Sequence, residues 1–162
     1  MFDEHHRVIS GNATDQALMK FLGEDSYLKM KEDPSLEVFA SQKFNSSNKF
    51  SQAQIGGLTY YKGAPERLLQ KADRYMGTDG QLHPLDLSCI NQRIDTLAKK
   101  AMRVIAFGYS EEPLQENCIS GNLVLIGLAA IRDDVRPEAR IAIHDVQKAG
   151  IQVVMITGDR LE

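Results

Sequence analysis

The sequence predicts an α/β fold, in which an antiparallel β-sheet is flanked by helices and followed by a C-terminal βαβ fragment. Residues 37–63 contain three strand-like segments separated by turn-forming residues, which is typical of an antiparallel meander. From residue 123 onward an apolar strand, a helix and a second apolar strand follow one another, which is typical of a parallel βαβ unit. With 43% hydrophobic and 25% charged residues, the 162-residue chain has the composition of a globular protein.

The first part of the chain predicts one helix and the meander. Thr14 to Leu28 has apolar residues at helical spacing, and Thr14 is the predicted N-cap. The polar segment Asn45 to Asn48 and the pair Gly56-Gly57 predict two turns. The three strands around these turns are predicted at residues 37–44, 49–55 and 58–61.

The middle of the chain predicts two further helices and two further strands. One helix is expected from Pro65 through Tyr75, and the segment 77–80 (Gly-Thr-Asp-Gly) predicts a loop after it. Leu85 to Met102 carries apolar residues on one helical face, which predicts an amphipathic helix. The two strands are predicted at residues 104–109 and 123–131.

We expect two domains, a first one at residues 1–125 and part of a second one at residues 126–162. The second part contains a helix from Pro137 to Ala149, which Gly150 is expected to end. Ile151 to Ile156 is continuously apolar, as is typical of a strand buried on both faces of a parallel sheet. Such a sheet needs more strands than the remaining residues supply, so the second domain is expected to be incomplete.

Composition and motifs exclude several classes of function. A net charge of −3 gives no basic footprint for nucleic acid, and no apolar run reaches the roughly 18–20 residues of a membrane helix. Residues 1–7 are charged without an apolar stretch behind them, so no signal peptide is expected. The Walker pattern of P-loop NTPases is absent. Cys89 and Cys118 lack metal-ligand spacing, and we expect them to be unpaired and at least half-buried in a reducing compartment.

The segment Lys62-Gly63-Ala64-Pro65-Glu66 places a lysine at a strand-to-helix turn. Gly63 lacks the Cβ that would block the approach of a ligand to the backbone, and Pro65 suits the first helical position. Glu66 complements the positive end of the helix dipole. A compact cation at such a turn can bind a phosphate group. A lysine on a solvated loop is the alternative that this motif alone leaves open.

Five motifs in one order resemble the nucleotide-binding domain of P-type (E1-E2) cation-transporting ATPases. Residues 62–66 match the family's KGAPE signature, and the others are GNATD at 11–15, FNSSNK at 44–49, MRVIAFGY at 102–109 and the pair RDDVRPEA at 132–139 with MITGD at 155–159. They span essentially the whole chain. The similarity around FNSSNK favours the branch that pumps Ca²⁺ or Na⁺/K⁺, with the calcium-transporting type first.

The resemblance implies an adenine-nucleotide site. It implies that the Phe44 ring stacks on adenine, with Lys49 in the same cleft, and that Asp15 accepts a hydrogen bond from the adenine amine. Aspartate replaces the family's glutamate there, so a water molecule is an alternative bridge. It also implies that Lys62 and Arg103 meet the phosphates. The implied nucleotide-binding set is Asp15, Phe44, Ser46, Lys49, Lys62, Gly63 and Arg103, with Asn48 at the rim.

Four of these residues also have a structural explanation. Phe44 fits a core aromatic, and Lys49 fits a solvated strand lysine. Asp15 fits a carboxylate that favours a helix N-terminus, and Arg103 fits a cation that favours a helix C-terminus. Without the other motifs, the core position is the better interpretation of Phe44.

The resemblance further implies that the chain holds ATP, with Mg²⁺ in the complete pump, for phosphoryl transfer to an aspartate outside these residues. The family's DKTGT sequence is absent, so we expect no catalytic residue, no metal ligand and no ATP turnover in this chain. The residues that would line the phosphorylation site are Asp133, Arg136, Thr157, Gly158 and Asp159. The implied location is a cytoplasmic domain of an integral membrane protein, and the implied partners are the pump's remaining phosphorylation, actuator and membrane domains. No direct contact with membrane or nucleic acid is expected.

Two other classes of function remain open from the residues alone. A haloacid-dehalogenase-like phosphatase would explain Thr157-Gly158-Asp159 and the βαβ unit, but no nucleophilic aspartate matches upstream. A non-catalytic interaction module would explain the missing catalytic residues, but it leaves the motifs at 44–49 and 62–66 without a purpose. Perturbation by adenine nucleotides without hydrolysis separates both from the nucleotide-binding interpretation.

Overall fold

A seven-stranded mixed sheet and five α-helices make up the part of the chain that the computed structural model describes, residues 2–3, 8–9, 11–132 and 136–154. The strands are β1 (Val38–Gln42), β2 (Phe50–Ile55), β3 (Leu58–Gly63), β4 (Ala72–Met76), β5 (Leu82–Pro84), β6 (Arg103–Ser110) and β7 (Leu123–Ile131). The helices are α1 (Ala13–Leu22), α2 (Glu24–Glu32), α3 (Pro65–Leu68), α4 (Leu87–Ala98) and α5 (Pro137–Lys148), with a short 3-10 helix at Pro34–Leu36. The strand order is β1-β2-β3-β6-β7-β4-β5.

The predicted meander is confirmed. Strands β1, β2 and β3 pair antiparallel, and the β2–β3 register runs from Phe50 opposite Gly63 to Ile55 opposite Leu58. The turns lie at residues 46–48 and 56–57, where the polar segment and the glycine pair predicted them. Strand β3 then pairs antiparallel with β6, and β6 pairs antiparallel with β7.

The prediction of a purely antiparallel sheet is wrong, because β4 pairs parallel with β7. The single helix predicted through Tyr75 ends at Leu68, and residues 72–76 form β4 instead. Strand β7 offers unpaired backbone groups along one edge, and pairing with them outweighs the helical preference of this short segment. The segment 77–80 is accordingly the turn of the β4–β5 hairpin and not a loop between helices.

The helix predicted at Thr14 to Leu28 is two helices, α1 and α2, that meet at Gly23. Gly23 has φ +79°, a left-handed conformation that glycine adopts without steric cost, and its N–H bonds to the Met19 carbonyl. Thr14 is not the N-cap. Asn12 occupies that position, and its side-chain oxygen accepts a hydrogen bond from the Asp15 N–H at 2.9 Å.

The core lies on one face of the sheet, beneath α3 and α4. Alternation along β3 buries Thr59, Tyr61 and Gly63, while Tyr60 and Lys62 lie on the opposite face. Ile90 and Ile94 of α4 pack against this core, as their spacing predicted. The central buried side chains are Phe50, Tyr61, Leu68, Leu69, Ala106, Leu123 and Leu125.

The cysteine prediction is half right. Cys89 and Cys118 are unpaired, as expected, but both are exposed instead of being buried or half-buried. Cys89 lies in the first turn of α4, on the side away from the core, and Cys118 lies in the loop before β7.

The C-terminal part contains the predicted helix α5, followed by Gly150 with φ +78°. The described residues do not form the predicted βαβ unit: residues 151–154 are neither helix nor strand, and residues 155–156 lie outside the described range. Strand β7, expected to open that unit, is an inner strand of the main sheet. The division after residue 125 falls within β7 and stays a prediction. Among the described residues no helix is long and apolar enough to cross a membrane.

Candidate functional site

Lys62 lies near the end of β3, on the sheet face opposite the core. Its ammonium nitrogen is 2.5 Å from Asp15 Oδ1 on the first turn of α1, and both side chains are about one-third exposed, at 34% and 37%. The strand alternation that buries Tyr61 turns Lys62 toward this face. The lysine predicted to bind phosphate therefore forms an ion pair with a residue 47 positions away.

Arg103 contacts the same end of α1. It is the first residue of β6, and its guanidinium Nη1 donates a hydrogen bond to Thr14 Oγ1 at 3.2 Å. Thr14 and Asp15 are adjacent, so α1 contacts both predicted phosphate-binding cations. Three of the five sequence motifs, at residues 11–15, 62–66 and 102–109, meet here.

A shallow concavity of about 200 Å³ lies on the Lys62 face of the sheet. Its lining residues are Ser51, Gln52, Ala53, Tyr60, Tyr61, Lys62, Phe107, Gly108 and Ile126. The register explains the grouping, since Ser51, Lys62 and Phe107 lie side by side on β2, β3 and β6. Lys62 is the single charged residue of this lining. The volume is below the roughly 300–1,000 Å³ of sites that enclose a ligand, so the concavity suits one ring system and not a whole nucleotide.

The turn at residues 45–48 lies between β1 and β2 and leads into the start of β2. Asn45 Oδ1 accepts a hydrogen bond from the Asn48 N–H at 2.7 Å, which closes the turn. Lys49 follows in the left-handed conformation, with φ +60°. Its ammonium group pairs with Glu66 at 3.1 Å, and its carbonyl accepts from the Ala64 N–H at 2.9 Å. The FNSSNK and KGAPE motifs are therefore in direct contact.

Gly63 is required for a different reason from the one the sequence suggested. A Cβ at this position would lie 2.6 Å from Phe50 Cβ and 2.7 Å from the Lys49 carbonyl oxygen. Neighbouring strand β2 fills the space, so the glycine makes room for the sheet and not for a ligand. Glu66 also has a role that the sequence did not suggest. Helix α3 has only four residues, and the Glu66 carboxylate forms an ion pair with Lys49.

The structure does not gather the whole predicted set around the concavity. Phe44 is 58% exposed, which excludes the core position, and it does not line the concavity. Ser46 is exposed and is also absent from the lining. Arg136 is exposed at the residue before α5. The other residues predicted to line a phosphorylation site lie outside the described residues: Asp133, Thr157, Gly158 and Asp159.

The structure brings three residues into this region that were not predicted as site residues. Phe107 lines the concavity, Thr14 accepts from Arg103, and Asn117 hydrogen-bonds the side chain of Asn48 at 2.6 Å. Phe107 carried a usable signal, because it lies four residues after Arg103 in a strand and so faces the same side. Asn117 carried none, since it lies in an irregular loop distant in sequence from every motif.

The resolved pKa shifts lie outside this region. Hydrogen bonds from Ser35 lower the pKa of Asp33, and hydrogen bonds from the Gln81 backbone and then from His83 lower the pKa of Asp79. Among the described residues, no cluster of histidine, cysteine and carboxylate side chains is arranged to hold a metal ion.

Comparison with known proteins gives one consistent family. The family described as P-type ATPase, cytoplasmic domain N, matches residues 2–138. The chain is 31% identical over 170 residues to calcium-transporting ATPase 7, plasma membrane-type, of Oryza sativa subsp. japonica, covering 94% of this chain and 16% of that protein. It is 28% identical over 173 residues to calcium-transporting ATPase 1 of Saccharomyces cerevisiae, covering 98% of this chain and 18% of that protein.

A cyanobacterial relative is similar over a shorter region. The chain is 36% identical over 111 residues to cation-transporting ATPase pma1 of Synechocystis sp., covering 65% of this chain and 12% of that protein. The chain therefore spans less than a fifth of the length of these three relatives.

Proposed function

The chain belongs to the family of P-type ATPase cytoplasmic N domains, and from this premise we propose that it binds ATP on the Lys62 face of its sheet. The proposed adenine site is the exposed ring of Phe44 together with Lys49 and Ser46. The proposed phosphate site is Lys62 and Arg103, and Gly63 contributes by letting β2 pack closely beside β3 next to Lys62.

One observation carries the proposal: the two predicted phosphate-binding cations converge on a single helix end, although the three segments are far apart in sequence. Lys62 reaches Asp15 at 2.5 Å and Arg103 reaches Thr14 at 3.2 Å, across 47 and 89 residues. Two cations at one place supply the charge complementarity that a polyphosphate requires. The concavity beside Lys62 has aromatic and apolar walls, but none of the three residues of the proposed adenine site lines it, so it is separate from that site.

We propose that the chain serves as the nucleotide-holding part of a calcium-type cation pump and that it delivers the γ-phosphate, with Mg²⁺, to an aspartate outside these residues. The relatives named as calcium-transporting ATPases support this choice of ion. In that arrangement the chain would be a cytoplasmic domain of a membrane protein. Its partners would be the pump's phosphorylation, actuator and membrane domains.

We propose that residues 126–162 lead into the phosphorylation domain, with Asp133, Arg136, Thr157, Gly158 and Asp159 lining its site. Helix α5 supports this assignment, because it presents apolar side chains to solvent. Ile143 is 43% exposed, and Val146, three residues later and therefore on the same helix face, is 38% exposed. Large apolar residues grouped on an exposed helix face are typical of a surface that another part of the protein covers.

We expect the 162-residue chain to bind ATP without hydrolysing it. Titration of the ¹⁵N-labelled chain with ATP should give saturable shifts at Phe44, Lys49 and Lys62, and steady phosphate release should stay at the level of a protein-free control. The reason for inactivity is the missing DKTGT aspartate. Shifts that never saturate would remove the binding proposal, and steady release would show that the chain carries its own catalytic group.

Asp15→Asn should tighten ATP binding by about two- to fivefold and change adenosine affinity by less than about twofold. The Asp15 carboxylate competes with phosphate for the Lys62 ammonium, and a partly exposed ion pair is worth roughly 0.2–1 kcal/mol. Calorimetric titration with both ligands measures the difference. Asp25→Asn is the matched control, since Asp25 is an exposed carboxylate in the first turn of α2. Equal weakening of ATP and adenosine would instead favour the adenine contact that the family resemblance implies for Asp15.

A further inference from the structure

Four amide side chains and one backbone carbonyl form a hydrogen-bonded network behind the turn at residues 45–48. Asn117 Oδ1 accepts from Asn48 Nδ2 at 2.6 Å and from Gln42 Nε2 at 2.8 Å. The Asn117 backbone N–H donates to Gln42 Oε1 at 2.8 Å, so Gln42 binds Asn117 through both ends of its side-chain amide. We call these residues, together with Gln52, the amide network.

Gln52 anchors the amide network in the core. Its side chain is 3% exposed, and its Nε2 donates to Gln42 Oε1 at 2.7 Å and to the Gln115 carbonyl at 2.6 Å. Its own Oε1 is buried and accepts no hydrogen bond from the described residues. The two hydrogen bonds from Nε2 are therefore the ones that fix the position of this buried side chain. The network is thus attached to β2 through a buried side chain.

The amide network acts on the turn through Asn48. The Asn48 N–H bonds to Asn45 Oδ1 at 2.7 Å, its side chain bonds to Asn117, and its carbonyl accepts from Arg67 Nε at 3.2 Å. Asn48 is thus held from three directions, immediately before Lys49 in its left-handed conformation. Contacts of this kind remove conformational freedom from a loop before any ligand arrives.

Asn117 supplies its contacts from a backbone conformation that few residues adopt. Its φ is +59°, and asparagine is one of the side chains that tolerate this left-handed region. Asn117 lies 69 residues from Asn48 and outside every motif of the candidate site. The position combines an unusual backbone with three hydrogen bonds to the side chains of Gln42 and Asn48, which a solvated loop residue does not need.

We propose that Asn117 is a positioning residue for adenine binding: through the amide network it fixes the 44–49 segment, and thereby Phe44 and Lys49, before nucleotide binds. The inference rests on the proposed function. Asn117 itself touches no nucleotide in this proposal. Its loss should affect the adenine end of the ligand and leave the Lys62 and Arg103 end unchanged.

Asn117→Gly tests the proposal, because glycine keeps the left-handed backbone and deletes only the side-chain acceptor. We expect ATP and adenosine affinities of the full chain to fall by the same factor, roughly three- to tenfold, by calorimetric titration. Amide hydrogen exchange of Asn48 and Lys49 should accelerate in the ligand-free protein. The control is Asn122→Gly, an asparagine of the same loop with φ +57°, which should change neither quantity. Asn117→Asp keeps the accepting oxygen and should restore both to near the parent values.

The outcomes separate this inference from the proposed function. If the parent chain shows no saturable ATP binding, both fail. If the parent binds ATP and Asn117→Gly binds as tightly as Asn122→Gly, the inference alone fails. A fall in melting temperature with unchanged affinities would assign Asn117 a structural role and would overturn it as well. Loss of ATP affinity with adenosine affinity retained would also overturn it, because the effect would then lie at the phosphate end.

Discussion

Lys62→Ala should weaken ATP binding by roughly ten- to a hundredfold, while adenosine affinity changes by less than about threefold. A hydrogen bond between a charged group and its partner contributes roughly 1.5–3 kcal/mol, and adenosine has no phosphate with which Lys62 could form one. The Lys62 ammonium already holds an anionic oxygen, Asp15 Oδ1, at 2.5 Å, so the geometry for a phosphate oxygen is present. Parallel titrations with ATP, ADP and adenosine measure the dependence on phosphate.

Two controls make the result specific to the phosphate contact. Lys100→Ala removes an exposed lysine just after α4 and should leave all three affinities unchanged. The double variant Lys62→Ala, Asp15→Asn should recover part of the lost ATP affinity, because the single variant leaves the Asp15 carboxylate without its cation close to the phosphates. Equal losses for ATP and adenosine would contradict the proposal and would mean that Lys62 supports the fold.

Gly63→Ala should lower the free energy of unfolding by about 1–3 kcal/mol. The added methyl group would lie 2.6 Å from Phe50 Cβ and 2.7 Å from the Lys49 carbonyl, so strands β2 and β3 would have to separate. Inserting a methyl group into a filled site costs roughly this much through strain and repacking. Urea unfolding of the variant and the parent measures the difference.

Gly127→Ala is the matched control for Gly63→Ala. Gly127 is also a strand glycine on the same sheet, but an added Cβ there would meet no atom within 4 Å. We expect this substitution to be neutral or to stabilise the chain by about 0.4–1 kcal/mol, because it restricts the unfolded chain. A Gly63→Ala variant that has normal stability but fails to bind ATP would contradict the packing explanation. It would instead favour the explanation in "Sequence analysis", that Gly63 leaves room for a ligand.

Elements that depend on local pattern were predicted well. The β1–β3 meander follows from strand alternation and from turn residues at 45–48 and 56–57, which act over two or three positions. Helices α4 and α5 follow from apolar spacing and from Gly150. These signals lie inside the segments that they shape, so no knowledge of distant residues is needed.

Elements that depend on distant pairing were missed. Strand β4 forms because β7, about fifty residues later, offers an edge to which it pairs in parallel, and its own composition fits a helix about as well. The break between α1 and α2 depends on one glycine with φ +79°, in a sequence with helical spacing on both sides. The exposure of Cys89 and Cys118 depends on which helix and loop surfaces the core leaves uncovered.

For the candidate site, the residues could be predicted from the sequence but their contacts could not. Its residue types were readable in order along the chain: an aspartate at a helix start, an aromatic residue and a lysine around a polar turn, a lysine before glycine, and an arginine at a strand start. Their partners were not readable. The Lys62–Asp15 pair, the Lys49–Glu66 pair and the hydrogen bonds of Asn117 join residues 17 to 75 positions apart. A side chain spans only a few ångströms, so the folded chain must first bring its partner within that distance. These contacts therefore exist only after the strands have paired and α1 has packed against the sheet.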